Sequence, residues 1–247
     1  MKNLMSVFMT FFLTMGLYAQ TAEEIVSKYV ENTGGKDAWS AISSMKATGT
    51  IKAQGMEFPA VMLTKNNKQK VSFTFQGMTI VQPAFDGETG WQTNFMNMKA
   101  EKMEAEDNEI AKAEAEDFPN PFLSYKEKGY TVELQGTETV EGTDCFKVKF
   151  TKKPVKIEGK EEENSSVYFF DKENFVPLVV RSTVKKGPAK GKFVETVLSD
   201  YQEVSGVMMP FSMDNKFDGQ TQASILIQKI EANVPIDDKE FAFPADN

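Results

Sequence analysis

The stretch MKATGTIKAQGMEFPAVMLTKNNKQKVSFTFQGMTIVQPAFDG, Met45 to Gly87, decides the fold. It holds four short runs, MKATGTIKA, MEFPAVMLTK, KVSFTF and MTIVQPAF, separated by glycine or polar residues. Short runs rich in β-branched and aromatic residues, punctuated this way, read as antiparallel strands joined by hairpins. The turn DGETG, Asp86–Gly90, leads to a fifth run, WQTNFM.

Outward from this meander the pattern repeats in the second half. YTVELQGTETV, DCFKVKFTKK, SVYFFDKENFVPLVVRSTVKKG, KGKFVETVLSDYQEVSG, VMMPFSMDNKFDG and QASILIQKIEAN follow one another with the turns DKEN, KKGPAKG and KFDGQ. KKPVKIEGKEEENSS reads as a charged hairpin tip. In VSGVMMPFSM, Val204–Met213, successive strand side chains point to opposite faces. Val207, Met209, Phe211 and Met213 therefore share one apolar face. The total is roughly ten or eleven strands and about four helices.

Between the strand series the composition changes. MKAEKMEAEDNEIAKAEAEDF, Met98–Phe118, lacks glycine and proline, is rich in Ala, Glu and Lys, and predicts a helix. Its apolar content is thin, so it belongs on a surface or over an opening. PNPFLSYKEKG predicts a further short helix ending at Gly129. Nearer the start, Thr21 with Glu24 fits a capping box, Ile25, Val26, Tyr29 and Val30 form a stripe, and Gly34-Gly35 fits a helix stop. KDAWSAI reads as a second short helix.

The first twenty residues, MKNLMSVFMTFFLTMGLYAQ, have a positive start, an apolar middle and a small-residue exit. This is the pattern of a secretory signal peptide. The apolar part is short for a membrane span, which needs about 20 residues. The single cysteine, Cys145, is far downstream, so the expected product is a soluble periplasmic chain, not lipidated and without an internal disulfide. It would be one domain over 21–247.

Composition excludes several chemistries. There is no histidine, which removes Ser-His-Asp and Cys-His nucleophile sites and His-zinc centres. The leader carries one lysine, leaving 27 basic against 36 acidic residues, a poor balance for nucleic acid or anionic membranes. The glycines form no phosphate loop. DNKFDG, Asp214–Gly219, fails as a calcium loop at its third position, Lys216, and its twelfth, Ile225. The acidic run Glu101–Asp117 is interleaved with Lys102 and Lys112 and reads as a solvated helix face. Two tryptophans, Trp39 and Trp91, are few for a sugar site. No catalytic residue, metal ligand or cofactor is predicted, and the chain reads as no enzyme.

What remains is phenylalanine and methionine. Beyond the leader lie 17 of the 20 Phe and 10 of the 14 Met, many of them in strands. Strands apolar on both faces, such as FPAVML, MTIV and SILI, need cover on both sides. Methionine suits surfaces that accept variable apolar shapes. Taken singly, each residue reads first as core. Taken together, Met56, Phe58, Met62, Phe73, Phe75, Met78, Ile80, Phe95, Phe169, Met209, Phe211 and Met213 are the candidates for a hydrophobic pocket, because a curved sheet of this size can enclose space.

GGKDAWSAISSMKATGT (Gly34–Thr50), FDGETGW (Phe85–Trp91), VEGTDCFKVKF (Val140–Phe150), YFFDKENFVPLVV (Tyr168–Val180), DYQEVSGVMMPFSM (Asp200–Met213) and IEANVPIDDKEFAFP (Ile230–Pro244) occur in an order that resembles the LolA-like periplasmic lipoprotein carriers, especially the outer-membrane lipoprotein-sorting-like members from Bacteroidetes. The resemblance covers nearly the whole chain after the leader. It implies an α+β fold, mainly antiparallel β: an unclosed, curved barrel with helices over its concave face and an interior that takes acyl chains. It implies an acylated lipoprotein or lipid as cargo, inner- and outer-membrane transfer partners, and a monomer. The alternative on the same fold is an envelope sensor or partner-binding module. In the carriers an arginine inside the barrel helps hold a helical lid. The one arginine here, Arg181, stands beside a hairpin in the second half.

Overall fold

The structure is a computed structural model and describes residues 20–245. The expected leader falls outside the described residues apart from Gln20. The chain begins with α1 (Ala22–Asn32), whose capping box is formed: Thr21 Oγ1 accepts from Glu24 N, and the Glu24 carboxylate accepts from Thr21 N at 2.9 Å. Ile25, Val26 and Tyr29 make its buried stripe. A sharp corner at Gly34 (φ 119°) leads to α2 (Gly35–Ser40). Only glycine fits at this corner, because a Cβ would meet the Gly206 carbonyl oxygen at 2.1 Å.

Thirteen strands follow, more than the ten or eleven expected. They are β1 (Ser44–Ala53), β2 (Met56–Lys65), β3 (Lys68–Phe75), β4 (Met78–Phe85), β5 (Gly90–Thr93), β6 (Ala100–Lys102), then, after α3 (Ala105–Ala115), β7 (Thr131–Val140), β8 (Thr143–Ile157), β9 (Lys160–Asp171), β10 (Pro177–Thr183), β11 (Phe193–Val204), β12 (Val207–Phe217) and β13 (Gln220–Ala232). They form one antiparallel sheet in the order β6-β5-β4-β3-β2-β1-β13-β12-β11-β10-β9-β8-β7. Each half is a meander, and β1 pairs with β13 where the halves meet. The turns explain the hairpins. Gln54-Gly55, Gln76-Gly77, Glu141-Gly142, Glu158-Gly159, Ser205-Gly206 and Asp218-Gly219 all place both residues at positive φ, the geometry that matches strand twist in two-residue hairpins.

Two expectations are corrected and a third holds. The predicted helix Met98–Phe118 is helical only over α3. Its first part returns as β6, where Gln92 pairs with Glu101 and Asn94 N bonds Lys99 O, so a ladder overrides helix propensity. Pro119–Gly129 is a run of turns rather than a helix. The charged hairpin tip forms as expected: β8 and β9 stay paired past a bulge between Lys152 and Val155 to Ile157↔Lys160 and turn at Glu158-Gly159.

The sheet is strongly curved. In sheet order β4 and β8 are nine strand spacings apart, roughly 43 Å if flat at about 4.8 Å each. Yet α3 packs on β4 and β5 at one flank and on β8 at the other, and eleven helical residues span only about 16 Å. The edge strands β6 and β7 do not pair, so the fold is an unclosed half-barrel, and the chain between them crosses its mouth as α3.

Register fixes the faces. Met45, Ala47, Ile51, Phe58, Met62, Phe73, Ile225, Met213, Leu198, Val180, Tyr168 and Val148 lie on one face, the inner one. α1 covers its β7–β9 end, where Tyr29, Phe122, Phe150 and Phe170 form one cluster. α2 covers β12, with Trp39, Ile42, Val207, Met209 and Phe211. The outer face carries its own cover: Ile236 and Phe241 pack on Leu63, and Phe243 packs on Trp91, whose Nε1 donates to the Phe241 carbonyl at 2.8 Å.

Candidate functional site

The inner face is closed under α1 and α2 and at the α3 flank, but not between them. On β1–β4 the pairs Ile51↔Phe58, Ala60↔Phe73, Met62↔Val71 and Phe73↔Ile80 set apolar side chains side by side. Phe58 lies 5.5 Å from Phe73 and 5.9 Å from Phe75, ring centre to ring centre. Across the β1–β13 junction the same rows continue through Ile225 to Met213 and Leu198. Of these, Ile80 and Ala60 are buried, the others are half-buried, and Met56 and Met78 at the rim are 47% and 44% exposed. Strand alternation thus produces a broad apolar trough that no helix among the described residues fills.

Eight sequence candidates share this trough: Met56, Phe58, Met62, Phe73, Phe75, Met78, Ile80 and Met213. Met209 and Phe211 are on the same face but sealed beneath α2. Phe169 sits on the outer face, in a cluster with Cys145 and Val179, because it alternates with Tyr168 and Phe170. Phe95 projects from the β5–β6 hairpin, 62% exposed, beside Met96 and Met98. Sequence reasoning missed Ile51, Val71, Leu198 and Ile225. Period-two spacing within their strands was the available signal, but only the register places them beside the others.

The helical cover is tied down by polar contacts at both flanks. Asn108 on α3 accepts from Gly90 N and donates to Glu88 O at 2.8 Å. At the other flank the Glu106 carboxylate accepts from the Glu158 and Gly159 backbone N–H groups, both at 2.9 Å, which holds its pKa below the usual carboxylate range. Lys152 on β8 donates to Asp117 Oδ2 at 2.7 Å and to the Ala113 carbonyl at 3.3 Å, and Lys186 pairs with Asp107. Beyond α3, Asn120 donates to the Tyr29 hydroxyl at 3.0 Å, docking the turns onto α1. Burial pushes Tyr29 up to about 12.

Arg181 takes no part in this. It lies on the outer face, donating to Glu195 Oε1 at 2.7 Å and Glu138 Oε1 at 3.2 Å, 4.6 Å above the Phe169 ring. Lysines anchor α3 instead.

Cys145 is buried and its thiol is pushed up to about 11, chiefly by desolvation. Among the described residues no group of three or more His, Cys, Asp or Glu side chains is placed to hold a metal. Among them, too, no helix is long and apolar enough to cross a membrane.

Three solved structures share this architecture. An outer membrane lipoprotein-sorting protein domain from Vibrio parahaemolyticus superposes with a TM-score of 0.56 at 12% identity, covering 89% of this chain and 95% of that one. A DUF1329 family protein from Desulfovibrio piger gives 0.56 at 14%, covering 91% and 98%. A LolA superfamily protein from Nitrosomonas europaea gives 0.53 at 13%, again covering 91% and 98%. No curated protein matches the sequence. A family model described as "Uncharacterized protein" matches residues 92–243. The chain belongs to the family of that model, and its fold is the one it shares with these LolA-like proteins.

Proposed function

We propose that the protein is a non-catalytic periplasmic carrier. It binds the acyl chains of lipoproteins or other lipids in the trough and moves them toward the outer membrane. The observation that carries this reading is the run of apolar side chains from Phe58, Phe73 and Phe75 to Met213, left half-exposed, among the described residues, beneath a mouth that α3 crosses. A fold does not by itself fix function, so the reading rests on this surface and its chemistry.

The energetics suit extraction. Burying acyl chain gains about 0.8 kcal/mol per CH₂, so a fully buried 16-carbon chain gains roughly 12 kcal/mol, near nanomolar affinity. Release then requires opening of the cover or a receiving partner in the membrane. The test is uptake of the uncharged fluorescent probe N-phenyl-1-naphthylamine by the purified chain. Saturable binding that competes with a long-chain lipid supports the carrier. No binding refutes it.

A second reading has one observation in its favour. The Asn94–Lys99 hairpin tip is ordered by its own hydrogen bonds, with Asn94 Oδ1 accepting from Met96 N at 2.8 Å and Asn97 Oδ1 from Lys99 N at 3.0 Å. It nevertheless holds Phe95 and Met96 out at 62% and 96% exposure. That surface suits a partner-binding module, which predicts a tight protein partner and no lipid.

A further inference from the structure

Beside the trough, under the α3 flank that faces β8–β10, lies a separate cavity of about 290 Å³. Its floor is polar. Asn164 and Ser166 on β9 and Ser182 on β10 are on the inner face, and the Ser166 and Ser182 hydroxyls are 2.7 Å apart. Ile110 of α3 and Ile157 of β8 provide apolar walls. Three lysines line it. Lys152 is neutralised by Asp117 and Lys186 by Asp107. Lys185 has no carboxylate partner among the described residues, and its ammonium donates only to the Asn164 amide oxygen at 3.1 Å.

An ammonium held half-buried without a carboxylate in contact is costly unless something supplies one. Its environment acts accordingly: desolvation first, and then Lys152, push Lys185 below the usual lysine range, against the opposing pull of Glu162 and Glu163. Glu114 is the one carboxylate lining the cavity; it makes no ion pair among the described residues, and desolvation raises its pKa. The cavity therefore presents one cation without an ion pair and a bonded pair of hydroxyls with one O–H free, a donor set that suits a carboxylate or phosphate oxygen.

The position relative to the trough gives the rest. From Ser182 the inner face runs through Val180 and Leu198 to Met213, Ile225, Ile51 and Phe58. From β10 to β1 this is four strand spacings, roughly 19 Å. A head seated at Lys185 has an apolar path for its tail. We propose that the cargo is an amphiphile with an anionic head, a carboxylate or phosphate, held by Lys185, Ser166 and Ser182 while its acyl chain lies in the trough. This rests on the carrier reading and narrows it to a chemical class.

The experiment displaces bound N-phenyl-1-naphthylamine with dodecanoate, dodecanol or acetate, using the wild-type chain, Lys185→Met and Lys185→Arg. The expected result is a preference for dodecanoate over dodecanol of roughly tenfold or more, the size of one charge-assisted hydrogen bond. The preference disappears in Lys185→Met, returns in Lys185→Arg, and dodecanol affinity stays the same in all three. Acetate alone displaces nothing. Equal affinity for acid and alcohol in the wild type, or a preference that survives Lys185→Met, overturns the anionic seat and leaves the carrier reading standing. Displacement by acetate alone overturns the amphiphile and leaves a small-anion site. Absence of probe binding in the wild type overturns both readings.

Discussion

Lys152 Nζ lies 2.7 Å from Asp117 Oδ2, joining the middle of β8 to the chain just beyond α3. Both side chains are largely shielded, at 14% and 17% exposure. The second carboxylate oxygen, Asp117 Oδ1, is buried without a hydrogen bond, and Lys128 stands 3.8 Å away. The same ammonium also bonds the Ala113 carbonyl. One lysine thus serves the orphan end of α3 and the carboxylate beyond it.

Removing that lysine strands a shielded carboxylate. Lys152→Met is expected to cost about 1–3 kcal/mol in urea unfolding. It should also raise hydrogen exchange across residues 105–117 ahead of the rest of the chain. The double variant Lys152→Met/Asp117→Asn should be more stable than additivity predicts, because neither charge is then left alone. Additive losses would mean the two groups do not work as a pair.

The trough and the core differ in what a substitution does. Phe58 is half-buried and packs beside Phe73 and Phe75 on the inner face. Phe58→Glu should leave the far-ultraviolet dichroism intact and weaken apolar-probe binding by roughly tenfold or more. Phe95→Glu, at the hairpin tip outside the trough, should leave probe binding unchanged.

Phe211 behaves otherwise. It is 7% exposed among Trp39, Ile42 and Val207. Phe211→Ala should cost about 3–5 kcal/mol as a cavity in a packed core, against less than about 2 kcal/mol for Phe58→Ala at its half-buried site. Comparable losses at both sites would show that the trough is ordinary core.

The sequence carried the strand pattern well because it is local. The X-Gly turns at Gln54-Gly55 and Gln76-Gly77 and the alternation Val207, Met209, Phe211, Met213 each lie within a dozen residues, and the hairpins follow them. What spans the chain was illegible. Tyr168, Phe169 and Phe170 are all apolar, so nothing local says which of them faces inward. Met209 and Phe211 share the face of Met213, yet only the docking of Trp39 from α2 seals the first two and leaves the third in the trough. The α3 boundaries failed because Ala100–Lys102, good helix formers, gained more by pairing with β5. Lys152 and Asp117 are 35 residues apart, and Lys185 stands in a loop with no motif around it.

Alkaline pH offers a check on the α1 cluster. Tyr29 titrates near 12 when folded against 10.0 for the free group, through burial first, with the Asn120 hydrogen bond opposing it. A raised phenol pKa means the folded chain keeps a proton that the unfolded chain loses. This stability is complete below pH 10 and is lost as pH rises toward 12, by about 2–3 kcal/mol for Tyr29 alone. Tyr168 and Tyr201 are also pushed up, chiefly by burial, and act in the same direction. Urea midpoints at pH 8, 10 and 11 should be flat to pH 10 and then fall, and less steeply in Tyr29→Phe. A midpoint that rises above pH 10 would contradict the burial of these rings.

The most direct test of the central claim is native mass spectrometry of the chain purified from a bacterial periplasm, followed by solvent extraction. The account predicts an added mass near one lipid or acylated peptide per protein, absent from Phe58→Glu. A clean unliganded mass that stays unchanged after incubation with lipid would contradict it, and would leave the half-exposed residues from Phe58 to Met213 as the loosely packed inner wall of a partner-binding fold.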